Sequence, residues 1–382
     1  MKQSPTIATG REHVGWVDLL RVIACFAVVL SHSCDQFVAQ FDNDRASFLT
    51  GVLTGSLVRP CVPLFVMMTA VLLLPVRSGL SEFYAKRIGR LVKPLIFWSV
   101  VLPVSFWAYL NYVNPSTTNP AIVGDHSADG TLKNIWTCVF NFNFDTTPLW
   151  YLYMLIGLYF VMPVFSTWLE RAQKRDIRLF LTVWGASLVL PYVQMAAPML
   201  GYEGNYGNMG LYGVCDWNAF GTFYYVSGFV GYTVLAYYLV RFPLQWSWRR
   251  MLWTMVPMFA AGYAATVAGY TAMQEAFPGN YAYLEIIWNF TGINVFMMTL
   301  PVFAIVSKLN TAPRPWLSKL ASLTFGIYLC HFIFVQAAYD LFDIGGLPYI
   351  VRIICMAVTT FAVSAGVTAV MKKSGWTKIF VS

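Results

Sequence analysis

Two basic side chains stand inside one apolar run, DLLRVIACFAVVLSHSCDQF, which spans Asp18 to Phe37. They are Arg21, near the start, and His32, well inside. Such groups are costly in hydrocarbon and, when retained, face a protein interior or a water-filled cavity. Their spacing of eleven residues is about three helical turns, ~16 Å of rise, and returns them nearly to one face. That face offers a cation near one end and, deeper in, an imidazole, the side chain suited to proton transfer near neutral pH. Asp18, three residues before Arg21, can brace the guanidinium. The plainer alternatives are an Arg21 that snorkels to the interface and a His32 bonded within the packing.

Three further groups are candidates. In YAKRIGRLVKP, Arg87 and Arg90 lie one helical turn apart, with Lys86 and Lys93 beside them. Two guanidiniums on one face suit phosphates, and a topology anchor is the alternative. In VRPCVPLFVMMTAVLLLP, Arg59 lies toward the outer leaflet, where no topology signal is needed. Pro60 and Pro63 are expected to disturb the helix there and free backbone groups to line a cavity. In LTFGIYLCHFIFVQ, His331 follows Tyr328 and Thr324 at one-turn steps, either as a functional group or as a histidine bonded in the core.

The elements that position these residues are membrane helices. Of 382 residues 58% are hydrophobic and only 11% charged, against roughly a quarter charged in soluble domains. The chain is read as an all-α, polytopic integral membrane helical bundle. Ten spans are expected, near 15–36, 50–75, 91–113, 148–168, 178–199, 218–240, 250–272, 283–306, 320–338 and 347–371. With the N-terminus in the cytoplasm, 20 of the 25 Lys and Arg fall in cytoplasmic segments. Arg21 lies in the first span, and only Arg45, Arg59, Lys133 and Arg352 lie in or toward the outer side. The bias places both termini in the cytoplasm. It also explains the net charge of +8 without a nucleic-acid partner. The longest outer loop, about 114–147, carries KNIWTCVFNFNF, a segment suited to the membrane surface. The seven cysteines form no metal motif, and most act as small hydrophobes. A Cys138–Cys215 disulfide stays open. No cleaved signal peptide and no appended soluble domain are expected, so residues 1–382 read as a single transmembrane domain.

These motifs resemble the acyltransferase 3 family of integral membrane acyltransferases, most closely its WecH-type O-acetyltransferases of surface-polysaccharide assembly. The arginine, ten residues, histidine pattern is Arg21 to His32, and RPCVPLFVMMTA is similar to the family's second-span stretch. Arg87 and Arg90 match its R-x-x-R entry. PLWYLYMLIGLYFVMPVF, FGTFYYVSGFVGY and LTFGIYLCH resemble later signatures, in family order over about 15–335. Thr69–Ala70 replaces a Ser-Gly pair usual in the family. The resemblance implies an acyl-CoA donor, foremost acetyl-CoA, entering from the cytoplasm of a bacterial inner membrane, with no metal. It implies that Arg87, Arg90 and Arg21 hold the donor's phosphates. His32 is then the general base or the acyl carrier. Asp35, three residues on, is not part of the resemblance, and by position it either orients the imidazole or is a solvated outer acid. Arg59 and His331 bind the acceptor, a surface polysaccharide or lipid-linked glycan, or the developing oxyanion. The rival class is a transporter or flippase of a lipid-linked saccharide.

Overall fold

The computed structural model describes residues 14–202, 204, 211–214, 220–278, 286–309 and 311–382. Cys215 lies outside the described residues, and with it the Cys138–Cys215 pairing. The principal helices are α1 (Gly15–His32), α2 (Asp35–Val38), α3 (Arg45–Leu57), α4 (Cys61–Leu73), α5 (Leu80–Ala108), α6 (Ala128–Thr137) and α7 (Trp150–Arg171). They continue as α8 (Lys174–Ser187), α9 (Leu190–Ala196), α10 (Val230–Arg241), α11 (Trp248–Ala276), α12 (Ile293–Leu309), α13 (Pro315–Phe342) and α14 (Tyr349–Lys373). Among the described residues no strand forms, and nine helical stretches are long and apolar enough to cross a membrane.

Nine of the ten expected spans coincide with those stretches. The exception is 218–240. Its helix, α10, has only 12 residues, ~18 Å of rise against a hydrocarbon core of ~30 Å. Ahead of it the backbone takes left-handed values at Gly221 (φ +50°) and Gly228 (φ +73°), which interrupts a helix. Neighbours satisfy the opened backbone, since Trp184 Nε1 donates to the Gly228 carbonyl at 3.0 Å. The second span breaks where proline predicts: α3 ends at Leu57 and α4 begins at Cys61, with Arg59 and Pro60 between. Pro63 sits in the first turn of α4 without interrupting it.

The chain forms two compact units. One comprises the described residues up to Leu20, Arg59–Val76 and Val164–Pro313. There α4 packs on α10 and α11 on α12. Gly231 leaves room for the Trp184 indole, which would lie 2.0 Å from a Cβ at that position.

The other unit comprises Arg21–Val58, Arg77–Pro163 and Arg314–Ser382. Its spine is α13 packed on α14. Contacts pair Cys330 with Ser364 and Gly326 with Thr368, so the two run antiparallel. A Cβ on Gly326 would fall 2.3 Å from the Thr368 methyl, so this close approach needs glycine. Asp44 caps α3 by accepting from the Ser47 amide at 2.9 Å and also accepts from the Tyr349 hydroxyl at the head of α14. The Ser47 amide and then the Tyr349 hydroxyl hold the Asp44 carboxyl below the usual carboxylate range.

Helix α1 lies alongside α13 in the same direction. Cys25 Sγ donates to the Thr324 carbonyl at 3.5 Å, the His32 and His331 rings meet seven residues later in each helix, and Gln36 bonds Gln336 just beyond. Two parallel membrane helices start on the same side, so an even number of crossings precedes α13. Seven of the long apolar stretches come before it. The α10 segment, 12 residues long with a non-helical approach, is the remaining apolar segment among the described residues ahead of α13 that the ten-span expectation needs as a crossing.

Candidate active site

The register of α1 and α13 sets two imidazoles side by side, with ring centroids 5.3 Å apart. Helix α1 ends at His32, and after two residues the chain re-enters helix at Asp35. That spacing brings Asp35 Oδ2 to 2.8 Å from His32 Nδ1. A carboxylate only accepts, so Nδ1 carries the hydrogen and Nε2 keeps the lone pair. The His32 side chain is 20% exposed and that of Asp35 36%. The pair thus stands at the edge of the protein interior, open to a reactant. Of the two readings of Asp35, the solvated acid is the one the geometry does not favour: one carboxylate oxygen is spent on the imidazole.

His331 is fully buried. Its Nδ1 bonds the Tyr328 carbonyl at 2.7 Å, and because a carbonyl only accepts, the proton sits on Nδ1. Nε2 is left as a buried atom with no hydrogen-bond partner among the described residues. Buried polar atoms are rarely left so. A neutral ring of this tautomer can accept a hydrogen bond from a hydroxyl, whereas it has no hydrogen to offer an oxyanion. Tyr328 is fixed in turn by donating to the Pro148 carbonyl.

Phe332 is the hub of the wall beyond. It packs edge-on to His32 at 5.3 Å, and Phe106 and Phe144 lie 5.8 and 5.5 Å from it. Phe144 belongs to the outer loop, which is tied down at several points. Asn119 Nδ2 donates to Gln336 Oε1 at 2.7 Å, the same oxygen that accepts from Gln36 Nε2 at 3.0 Å. Thr117 and Tyr109 both donate to Asp340, at 2.7 and 2.5 Å. Next to Phe144, the fully buried Asp145 meets His126 Nε2 at 2.8 Å and accepts from Asn134 at 2.9 Å. His126 stacks on Phe106, with centroids 5.8 Å apart. The sequence reading passed over His126 and Asp145. Their one visible signal was that the chain has only four histidines. The first part of KNIWTCVFNFNF lies on α6, where Trp136 is exposed, as are Leu132 just ahead of the segment and Val139 and Phe140 after the helix.

The cationic candidates fall as follows. Arg21 is half-buried, one turn after the buried Asp18 on α1. Arg87 is half-buried and Arg90 exposed in the first turns of α5. Both lie within electrostatic reach of Tyr159, in the unit that holds His32 and His331. Arg59 belongs to the other unit, in the break between α3 and α4. Its guanidinium donates to the Trp288 carbonyl at 3.0 Å and lies 4.5 Å from the centroids of both Trp288 and Phe290. Among the described residues, no three of His, Cys, Asp and Glu converge as a metal site would require.

The chain matches the family model described as "Acyltransferase domain" (Acyl_transf_3) over residues 14–369. It belongs to the acyltransferase 3 family. No curated protein and no solved structure matches it. Membership makes the protein a membrane acyltransferase, which requires an acyl donor and an acceptor. For an acyltransferase, an imidazole with one nitrogen held by a carboxylate and the other carrying a lone pair is the arrangement that can take a proton from a nucleophile.

Proposed function

We propose that the protein is an O-acyltransferase of the bacterial inner membrane, with residues 1–382 acting as one catalytic domain. The reading is transfer of an acetyl group from cytoplasmic acetyl-CoA to a hydroxyl of a surface polysaccharide or lipid-linked glycan. The observation that carries it is the Asp35–His32 pair beside the unpartnered Nε2 of His331 in a chain of the acyltransferase 3 family.

In the direct route, His32 Nε2 takes the proton of the acceptor hydroxyl while its oxygen attacks the thioester carbonyl. The C–O bond forms, the C–S bond breaks, and the thiolate leaves on CoA. Asp35 stabilises the imidazolium, which then releases its proton to the thiolate or solvent. In the covalent route, Nε2 carries the acyl group between donor and acceptor. Nε2 of His331 accepts from a hydroxyl of the acceptor in either route. Arg87, Arg90 and Arg21 hold the donor's phosphates, and Arg59 contributes to acceptor binding. A lipid-linked saccharide transporter gains no support from the family match.

The test is transfer of labelled acetyl from acetyl-CoA to a membrane glycan fraction, normalised to folded protein. His32→Ala should abolish transfer while acetyl-CoA still binds. General-base help alone is worth roughly 100- to 10,000-fold. Near-normal transfer by His32→Ala would overturn the mechanism.

A further inference from the structure

The C-terminal segment after α14 is held in place rather than trailing from the last span. Thr377 Oγ1 donates to the Met371 carbonyl at 2.6 Å, and a short 3-10 turn spans Lys378–Phe380. The Phe380 ring stacks on Phe97 of α5, with centroids 4.2 Å apart and planes 8° from parallel. Trp98 Nε1 donates to the Phe380 carbonyl at 3.0 Å. Val381 is fully buried and lies about where a Cβ on Gly326 of α13 would touch it, at 3.0 Å. The strap is thus anchored on α5 and α13, about two turns along α5 from Arg90.

This anchoring fixes cations. Lys372, at the end of α14, donates from Nζ to the Ser322 carbonyl of α13. Ser322 is one turn before Gly326, where Val381 packs, and Lys378 belongs to the turn whose Phe380 stacks on Phe97, two turns along the same face of α5 from Arg90. Three like charges drawn together by folding repel one another, and an anion placed among them is the natural compensation. We propose that Lys372 and Lys378 complete, with Arg90, a site for a phosphorylated ligand, and that the C-terminal strap exists to hold that site. The inference rests on the reading of Arg87 and Arg90 as donor ligands and extends it. The ligand is the nucleotide end of the acyl-CoA donor, whose several phosphate groups need more cations than one Arg pair provides. A phospholipid headgroup offers the same phosphate chemistry and is separated by the test.

The experiment is calorimetric titration of the full-length protein in uncharged detergent with CoA, and separately with acetyl-pantetheine, which lacks the nucleotide. Lys372→Gln and Lys378→Gln should each weaken CoA binding about three- to tenfold. That is the scale of one charge-assisted contact at a partly solvated site. Both should leave acetyl-pantetheine binding unchanged. Phe380→Ala, which releases the strap without removing charge, should weaken CoA binding in the same selective way. Lys378→Gln alters only an exposed side chain, so its result stands even where Phe380→Ala lowers stability. Unchanged CoA affinity in Lys378→Gln and Lys372→Gln would overturn the proposal. So would variants that keep CoA affinity and lose only binding of phosphatidylglycerol in nanodiscs, which would assign the site to lipid. Arg87→Gln with Arg90→Gln distinguishes the parent reading. If that pair leaves CoA binding intact while the lysine variants weaken it, the Arg assignment falls and the strap site stands. A wild-type protein that binds no CoA overturns both.

Discussion

Asp35→Asn isolates the contribution of the carboxylate to the His32 base. The substitution keeps size and one acceptor oxygen and removes the charge. In a buried Asp–His pair of a hydrolase, the same change costs about 10⁴ in turnover, because the imidazole settles in the wrong tautomer. The Asp35 side chain is 36% exposed and that of His32 20%. Water can therefore take over part of the stabilisation of the imidazolium, and the expected loss is smaller, about 10- to 100-fold in kcat. At ~1.36 kcal/mol per decade this corresponds to roughly 1.4–2.7 kcal/mol of barrier. Stability should change by no more than about 1 kcal/mol, the scale of an exposed ion pair. The assay is initial-rate transfer of labelled acetyl in proteoliposomes at several acetyl-CoA concentrations, with the melting temperature measured on the same preparation. A fall in kcat with KM for acetyl-CoA and melting temperature unchanged is expected. Full turnover in Asp35→Asn would refute the orienting role. A fall in melting temperature with normal turnover per folded molecule would make the contact merely structural.

His331→Asn should keep a donor to the Tyr328 carbonyl while removing the Nε2 acceptor, so transfer should drop at least tenfold with the protein still folded, as read by turnover and size-exclusion profile together. His126→Ala leaves the buried Asp145 with only Asn134, which should cost about 3 kcal/mol and appear as a lower melting temperature with faster proteolysis between residues 114 and 147. Reporter fusions after Ser382 and within 242–247 should report the cytoplasm, and one within 114–147 the outside. An outside signal at 242–247 would remove the α10 crossing.

Hydropathy made nine spans legible because a membrane helix carries its environment in its composition. The tenth was legible as an apolar segment but not as a half-helix, since the break depends on φ at Gly221 and Gly228 rather than on polarity. The Arg59 break followed from proline chemistry. His32 and His331 each stood out as a histidine in an apolar run. Their adjacency depends on packing between residues 299 apart, as the Cys25–Thr324 contact shows, and local periodicity carries no such information. Asp35 was weighed as a solvated acid because it follows the span's end. The turn at residues 33 and 34 folds it back instead. The Asp145–His126 pair lies in a loop, where side-chain contacts set the conformation and no repeat announces it.

The attachment of the outer loop to the helices bears on how that loop could change over time. Gln336 and Asp340 accept hydrogen bonds from Asn119, Thr117 and Tyr109, and Phe144 seats on Phe332. Transplanting the loop alone from another member would take Asn119 from the buried Gln336 oxygen, leaving it Gln36, and Thr117 from the Asp340 carboxylate, leaving it Tyr109, so loop and helix are expected to change together. Small steps within the loop's exposed aromatic tip, at Trp136 and Phe140, are free of that constraint. Divergence, or laboratory redesign, should therefore proceed by point changes at the tip, and wholesale grafts should work only when residues 332, 336 and 340 travel with them.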